Sequence, residues 1–182
     1  MKPRLNPTIV TRRLILRRPQ EADLDDLVAA INDLRVSRTL GRVPYPYRRT
    51  DGEAFLDAVH RAAQGGRGLN LSIFRDGRLI GGIGVTNLPA YNELGYWLAY
   101  DAWGHGFATE AGAAILAYGF EVLGLRLIRS AVAAENHASL HVQQKLGFAA
   151  IGRSMRHSLA RGETLPHIDT VLTRARFQAL AS

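Results

Sequence analysis

The sequence predicts an α/β chain built on a mixed sheet with helices on its faces, and three observations carry that prediction. An Asp-Gly pair, Asp76-Gly77, lies between apolar runs in "LNLSIFRDGRLIGGIGVTNL", the strongest short signal for an antiparallel hairpin. Apolar stripes at helical spacing flank it: Leu24, Leu27, Val28 and Ile31 before, and Ala108, Ala111, Gly112, Ile115, Gly119 and Val122 after. A strand–helix–strand passage follows the hairpin, from "AYNELGYWLAYD" through the Ala/Gly-striped helix to "RLIRSAVAA" (Arg126–Ala134). Hairpins and such a unit in one chain imply a mixed sheet.

The elements follow in order. Thr11–Arg18, "TRRLILRR", holds Leu14, Ile15 and Leu16 between arginines and reads as a strand that Pro19 ends. "QEADLDDLVAAINDL" is a helix with acids near its start, where the helix dipole favours them. "SRTLGRVPYPYRRT" is irregular, because Pro44 and Pro46 remove donors and fix φ. A second helix runs from Asp51 to Gln64, with Phe55, Leu56 and Val59 inward, closed by Gly65-Gly66. After the hairpin and the striped helix, "NHASLHVQQKLGF" is a short helix with Asn136 placed to N-cap it and Gly147 to end it. Strands around Ala149–Met155 and His167–Thr173 complete the chain. No repeat or long linker divides it, so residues 1–182 are expected to form one domain.

Composition narrows the function classes. The 182 residues carry 23 basic and 16 acidic side chains, a net charge of +7, and 47% apolar residues. There is no 18-residue apolar run to cross a membrane, and the N-terminus lacks a signal peptide's apolar core and cleavage site. A cytoplasmic protein is expected. With no cysteines, disulfide and thiol chemistry are excluded. A basic surface attracts anions, but no Lys/Arg block of five exists and the aromatics are scattered. Direct nucleic-acid binding is not expected.

The most informative stretch is Trp103-Gly104-His105-Gly106-Phe107-Ala108-Thr109, where a strand becomes a helix. A helix N-terminus presents unpaired N–H groups and partial positive charge. Glycine there lets a phosphate approach the backbone, because no Cβ intervenes. Two glycines could equally serve a tight strand-to-helix turn. The dinucleotide fingerprint fits poorly, since Thr109 stands where it wants Gly or Ala and three hairpin-joined strands precede the motif. A P-loop fails for want of Gly-Lys-Ser/Thr.

This region resembles the phosphate loop of the GNAT superfamily of acetyl-CoA-dependent N-acetyltransferases, with Gly106 and Ala108 in its small positions. Trp103 at the first position departs from the commonest form and resembles the RimJ/RimL branch, the ribosomal-protein alanine N-acetyltransferases. The likeness covers nearly the whole chain. "TRRLILRRPQEADLDDL" resembles that branch's opening strand and helix, "PYPY" its mobile loop, "NELGYWL" its central strand and "ENHASLHVQQKLGF" its second CoA-contacting helix. The resemblance implies the GNAT fold, a mostly antiparallel sheet of about seven strands with helices on both faces. It also implies acetyl-CoA as co-substrate. Backbone amides from Trp103 to Thr109 (Trp103, Gly104, His105, Gly106, Phe107, Ala108, Thr109) would hold the pyrophosphate. Main-chain groups of Trp97, Leu98 and Ala99 would pair with pantetheine like an added strand, and Asn136 would contact the pantetheine arm while capping its helix.

Acetyl transfer needs a neutral amine, a stabilised oxyanion and a protonated leaving thiolate. Glu93 is the candidate base, as the only acid in "NELGYWL" before the loop, in a position resembling that of the catalytic glutamate of some GNAT enzymes. A salt-bridged residue that only orients the amine is the other reading of Glu93. The N–H of Leu98 is the candidate oxyanion donor. Many GNAT enzymes carry an acidic Tyr on the second CoA helix; Gln143 occupies that site here, and an amide is no acid. Ser139 is the substitute, or else a helix-start serine bonding its own backbone. Tyr45, Tyr47, Asn87 and Asp169 are expected around the acceptor with Glu93. No metal is expected, because no His/Asp/Glu cluster has ligand spacing. The partners are acetyl-CoA and an amine, an N-terminal alanine of a ribosomal protein by family analogy; dimerisation is common in that branch. A non-catalytic acyl-CoA-binding module and a nicotinamide-binding oxidoreductase are the rival readings.

Overall fold

In a computed structural model, which describes residues 5–181, Asp76 (φ 50°) and Gly77 (φ 80°) both take the left-handed backbone that a type I′ turn requires. They join Gly68–Arg75 to Arg78–Thr86 at the heart of the sheet. The ends of the expected domain, residues 1–4 and 182, lie outside the described residues. In chain order the strands are β1 (Ile9–Val10), β2 (Ile15–Arg17), β3 (Gly68–Arg75), β4 (Arg78–Thr86), β5 (Glu93–Leu98), β6 (Leu127–Ala133), β7 (Ala149–Ser158) and β8 (Glu163–Thr173). They form one eight-stranded sheet in the order β1-β2-β3-β4-β5-β6-β8-β7. Every pairing is antiparallel except β5 with β6.

The helices are α1 (Leu24–Ile31), α2 (Leu34–Ser37), α3 (Arg49–Gln64), α4 (Phe107–Ala117), α5 (His137–Lys145) and α6 (Arg174–Ala181). One face of the sheet buries Leu16, Ile73, Ile83, Leu94 and Leu98 against Phe107, Ala111, Ile115 and Phe120 of the α4 region. The other carries a smaller cluster of Leu27, Ile31, Val36, Tyr47, Phe74 and Leu79, under α1, α2 and the approach to α3. No helix among the described residues is long and apolar enough to cross a membrane.

The observed elements differ from expectation where side chains redirect the backbone. The first strand is a hairpin: the Thr11 N–H donates to Leu14 O at 2.9 Å and the Thr11 hydroxyl accepts from the Leu14 N–H at 3.0 Å, so only Ile15–Arg17 remains extended. β1 and α6 are additional elements. β7 extends to Ser158 and β8 begins at Glu163, so both are longer than the expected Ala149–Met155 and His167–Thr173, and β8 carries Pro166 within it. Val122 leaves the α4 stripe and is 54% exposed, because the helix passes into a π turn at Tyr118–Val122 and its phase slips. Gly112 keeps the close approach its size allows: a Cβ there would stand 2.5 Å from Leu146 Cδ1.

Candidate active site

The sheet splits where β5 meets β6. Backbone pairing between them ends at Glu93 and Arg129, with the Arg129 N–H bonded to Asn92 O at 2.9 Å. The next acceptor along β5, Leu94 O, is taken by the Ser130 hydroxyl at 2.9 Å. Ser130 Oγ in turn accepts from Gln143 Nε2 at 2.6 Å, and Gln143 Oε1 accepts from the Thr170 hydroxyl at 2.5 Å. Gln143 is 2% exposed, and a buried amide is tolerated when both its ends are bonded. Its side chain closes the floor of the split.

Strand alternation decides which β5 groups face the opening. The Ala99 N–H donates to Ile80 O at 2.9 Å, so residues of that parity, Trp97 included, turn their backbone toward β4. This corrects the expectation that Trp97, Leu98 and Ala99 all offer main-chain groups on the open side. Of the three, only Leu98 faces the split, and its carbonyl already accepts the Trp103 indole N–H at 2.9 Å.

At the end of β5 the chain turns into α4 through Gly104 (φ 76°) and Gly106 (φ 78°), left-handed values that penalise any residue with a Cβ. A Cβ on Gly104 would meet nothing within 4 Å, and Trp103 through Gly106 are exposed. The first helical bond runs from the Glu110 N–H to Gly106 O at 3.1 Å, so the amides just before Glu110 lack an i−4 partner. Glu110 anchors this turn to the first hairpin. Its carboxylate accepts from the Thr11 hydroxyl at 2.6 Å, the Arg13 N–H at 2.9 Å and Arg13 Nε at 2.6 Å. Arg13 Nη1 also reaches His105 O at 3.0 Å, and its guanidinium lies 4.6 Å from the Phe107 ring centre. Burial alone pushes the Glu110 carboxyl up, but the bonds from Thr11 and Arg13 outweigh it and hold the group below its ordinary value. His105 stacks on Phe107 with ring centres 5.6 Å apart.

A cleft of about 460 Å³ opens beside the turn, lined by Arg35, Arg38, Thr39, Tyr100, Trp103, Ala133, Glu135 and Asn136. Asn136 both lines it and caps α5, its Oδ1 accepting the Ser139 N–H at 3.1 Å. Ser139 meets Tyr96 of β5: the two hydroxyls are 2.7 Å apart, and the Tyr96 O–H lies 3.1 Å from Ser139 O. Burial pushes the Tyr96 phenol up, with hydrogen bonds from Ser139 and Gln143 offsetting part of that, so it stays neutral at physiological pH. On the opposite face Glu93 Oε1 accepts from Arg156 Nη1 at 2.5 Å, and Arg156 Nη2 lies 3.4 Å from Asp169 Oδ1.

Residues 13–149 match the family described as "Acetyltransferase (GNAT) domain". The chain belongs to the GNAT acetyltransferase family. This acyltransferase is 30% identical over 151 residues to the uncharacterised N-acetyltransferase YoaA of Bacillus subtilis, spanning 80% of this chain and 85% of that one. It is 28% identical over 163 residues to the uncharacterised N-acetyltransferase p20 of Bacillus licheniformis, spanning 87% and 91%. Its fold superposes with a TM-score of 0.85 on Mycobacterium smegmatis RimJ in complex with CoA-disulfide, at 22% identity, covering 100% of this chain and 98% of that one.

Within this acetyltransferase several expected acceptor residues have other duties. Tyr47 is 6% exposed in the smaller core cluster, its N–H bonded to Asn32 Oδ1 at 2.8 Å; burial and then the Asp51 charge push its phenol up to about 12. It is a packing residue. Asn87 (φ 58°) shapes the β4–β5 turn, its carbonyl accepting from Tyr91 and Asn92, at the end of β5 away from the split. Tyr45 is 45% exposed and does not line the cleft. Glu93 and Asp169 share one guanidinium, so Glu93 is ion-paired rather than free. Sequence reasoning missed Tyr96, Arg13 and Arg156. Period-2 alternation through "NELGYWL" already sets Leu94, Tyr96 and Leu98 on one face, which could have singled out Tyr96. Arg156 reaches Glu93 only through the β7–β8 hairpin, and no local signal announces it.

Proposed function

We propose that this protein transfers the acetyl group of acetyl-CoA to a primary amine by direct attack in a ternary complex. The acceptor is the α-amine of a peptide or protein N-terminus, such as a ribosomal protein's, or a small-molecule amine. One observation carries the reading: a turn of exposed amides, bent by two left-handed glycines, ends a strand split from its neighbour. Amides at a helix N-terminus suit an anion such as a diphosphate, and Gly104 leaves the outer side of the turn open. The similar RimJ structure holds a CoA disulfide, which supports the same use here.

Acetyl-CoA supplies the thioester, whose carbonyl carbon takes the new C–N bond as the C–S bond breaks. In this reading the amides of Gly104–Thr109 bind the diphosphate, the Trp103 N–H expected among them being bonded instead to Tyr100 O at 3.2 Å; the open edge of β5 at Leu98 lies along the pantetheine arm, and Asn136 contacts that arm. The Leu98 N–H stabilises the negative charge that develops on the carbonyl oxygen. Ser139 gives its proton to the departing sulfur; a thiol with pKa about 8.5 asks little of its acid. Gln143 is committed to the floor of the split, which leaves Ser139 as the nearest hydroxyl on α5. The amine proton passes to water.

The test combines calorimetry and thiol release. The protein should bind acetyl-CoA and CoA but not NAD, and should release CoA when supplied with a panel of N-terminal peptides and small amines. Stabilisation by NAD alone overturns the reading. Binding of acetyl-CoA with no CoA release from any amine makes it a non-catalytic binding module.

A further inference from the structure

On the face of the sheet opposite α4 the middle of β5 is bare where the sheet begins to split. Gly84 pairs with Gly95, and Ala131 pairs with Asp169. A Cβ added to Gly95 would meet nothing within 4 Å, so the middle of β5 is uncovered there. Glu93 stands two residues before Gly95 on the same face of β5. At this edge two carboxylates, Glu93 and Asp169, converge on the single cation of Arg156. Its Nη1 lies 2.5 Å from Glu93 Oε1, its Nη2 3.4 Å from Asp169 Oδ1 and its Nε 3.4 Å from Ser154 Oγ, while the Ser154 hydroxyl donates to Asp169 Oδ1 at 2.9 Å. The side chains of Glu93, Asp169 and Arg156 are 16%, 22% and 33% exposed.

Two carboxylates beside this bare stretch of β5 are what would hold a dication, yet a guanidinium of the chain already stands between them. The other charged or titratable groups nearby do not replace it. Arg129, opposite Glu93 on β6, turns its guanidinium over the Tyr91 ring at 5.0 Å, and His167 on β8 bonds Leu165 O through Nδ1 at 3.0 Å. We infer that Arg156 is the specificity-determining residue for the acceptor: by bridging Glu93 and Asp169 it cancels the charge that would capture a cationic diamine and withholds Glu93 as a base, so the enzyme selects amines of low basicity. The inference rests on the acetyl-transfer reading above.

The chemistry fixes which amines those are. At pH 7 neutralising an alkyl amine of pKa about 10.4 costs about 4.6 kcal/mol, an α-amine of pKa about 7.7 only about 1. A site without a free base takes the second and discriminates against the first. Arg156 acts through Glu93 and Asp169, and is a positioning residue.

The experiment compares kcat/KM at pH 7 for an alanine-initiated tripeptide and for 1,4-diaminobutane in wild type, R156K, R156Q and R156Q/E93Q, with calorimetric binding of 1,4-diaminobutane to each CoA-saturated protein. The wild type should prefer the tripeptide. R156Q should raise kcat/KM for the diamine at least tenfold relative to the tripeptide and bind the diamine at least tenfold tighter. R156K should keep the wild-type ratio, and R156Q/E93Q should lose the gain. A ratio and a diamine affinity in R156Q both within threefold of wild type overturn the inference, as does a wild type that prefers the diamine, a result that needs no variant to fold. A wild type that binds no acetyl-CoA, or releases no CoA with any amine, marks failure of the acetyl-transfer reading instead, since the defect then precedes any change at Arg156.

Discussion

Tyr96 on β5 and Ser139 on α5 hold their hydroxyl oxygens 2.7 Å apart across the split in the sheet. The Ser139 carbonyl, 3.1 Å from the same phenol, can only accept. When Tyr96 donates there, the Ser139 hydroxyl is left to donate to the phenol oxygen, and when Tyr96 donates to Ser139 Oγ, the serine proton is freed for another acceptor. Ser139→Ala should therefore lower kcat for thiol release by about tenfold, less than the roughly 10²–10⁴-fold usual for lost acid–base help, because the thiol is a good leaving group. Tyr96→Phe should lower kcat by less and cost about 1 kcal/mol of stability for the lost bond. Calorimetric CoA affinity should stay within threefold of wild type in both. Full turnover in Ser139→Ala removes the serine from the chemistry.

Gly106→Val tests the turn itself. At φ 78° a β-branched residue meets a penalty of about 1–2 kcal/mol or more from its own backbone. A Cβ there would already stand 3.6 Å from Arg13 Nη2, so the larger side chain also crowds the guanidinium that holds the turn. CoA affinity should fall more than tenfold by calorimetry, with a smaller loss of melting temperature. A Kd within threefold of wild type would refute the diphosphate seat.

Gln143→Leu separates architecture from chemistry. The substitution fills a similar volume but leaves Ser130 Oγ without its donor and the Thr170 hydroxyl without its 2.5 Å partner, inside a floor that water does not reach. The expected loss is about 1–3 kcal/mol, read from denaturant unfolding. Thiol-release kcat should move far less than in Ser139→Ala. The opposite pattern, intact stability with lost turnover, would return Gln143 to the catalytic machinery.

What the sequence disclosed followed the range of the interactions involved. Asp76-Gly77, the glycine turn before α4 and the Asn136 cap each write their geometry within four residues, and all three formed as read. The split between β5 and β6 was invisible because it depends on Ser130, Gln143 and Thr170 meeting from three separate elements. Glu93 shows the same limit more sharply. Its chemistry as an acid in a strand was legible, whereas its partner Arg156 lies 63 residues away, on the β7–β8 hairpin. Tyr47 failed differently: an aromatic in a Pro-rich loop looks like a surface residue, but the loop folds under α1 and buries it.

Glu110 ties the glycine turn to Thr11 and Arg13, and its depressed carboxyl makes that tie sensitive to acid in a defined direction. A carboxylate whose folded value lies below its unfolded value, about 4.3 for Glu, contributes stability that is complete above the unfolded value and lost as pH falls through the folded one. Between pH 6 and 8 the contribution is therefore flat. Glu110→Gln should lower the melting temperature across that range by a constant amount, and should weaken CoA binding because Arg13 no longer fixes the His105 carbonyl beside the turn. As pH falls through that depressed folded value the wild type protonates Glu110 as well, and the two melting curves should converge. Thermal melts of both proteins from pH 3 to 8 measure this; a difference that persists unchanged at the acid end would mean that the bonds to Thr11 and Arg13 do not depend on the charge of Glu110.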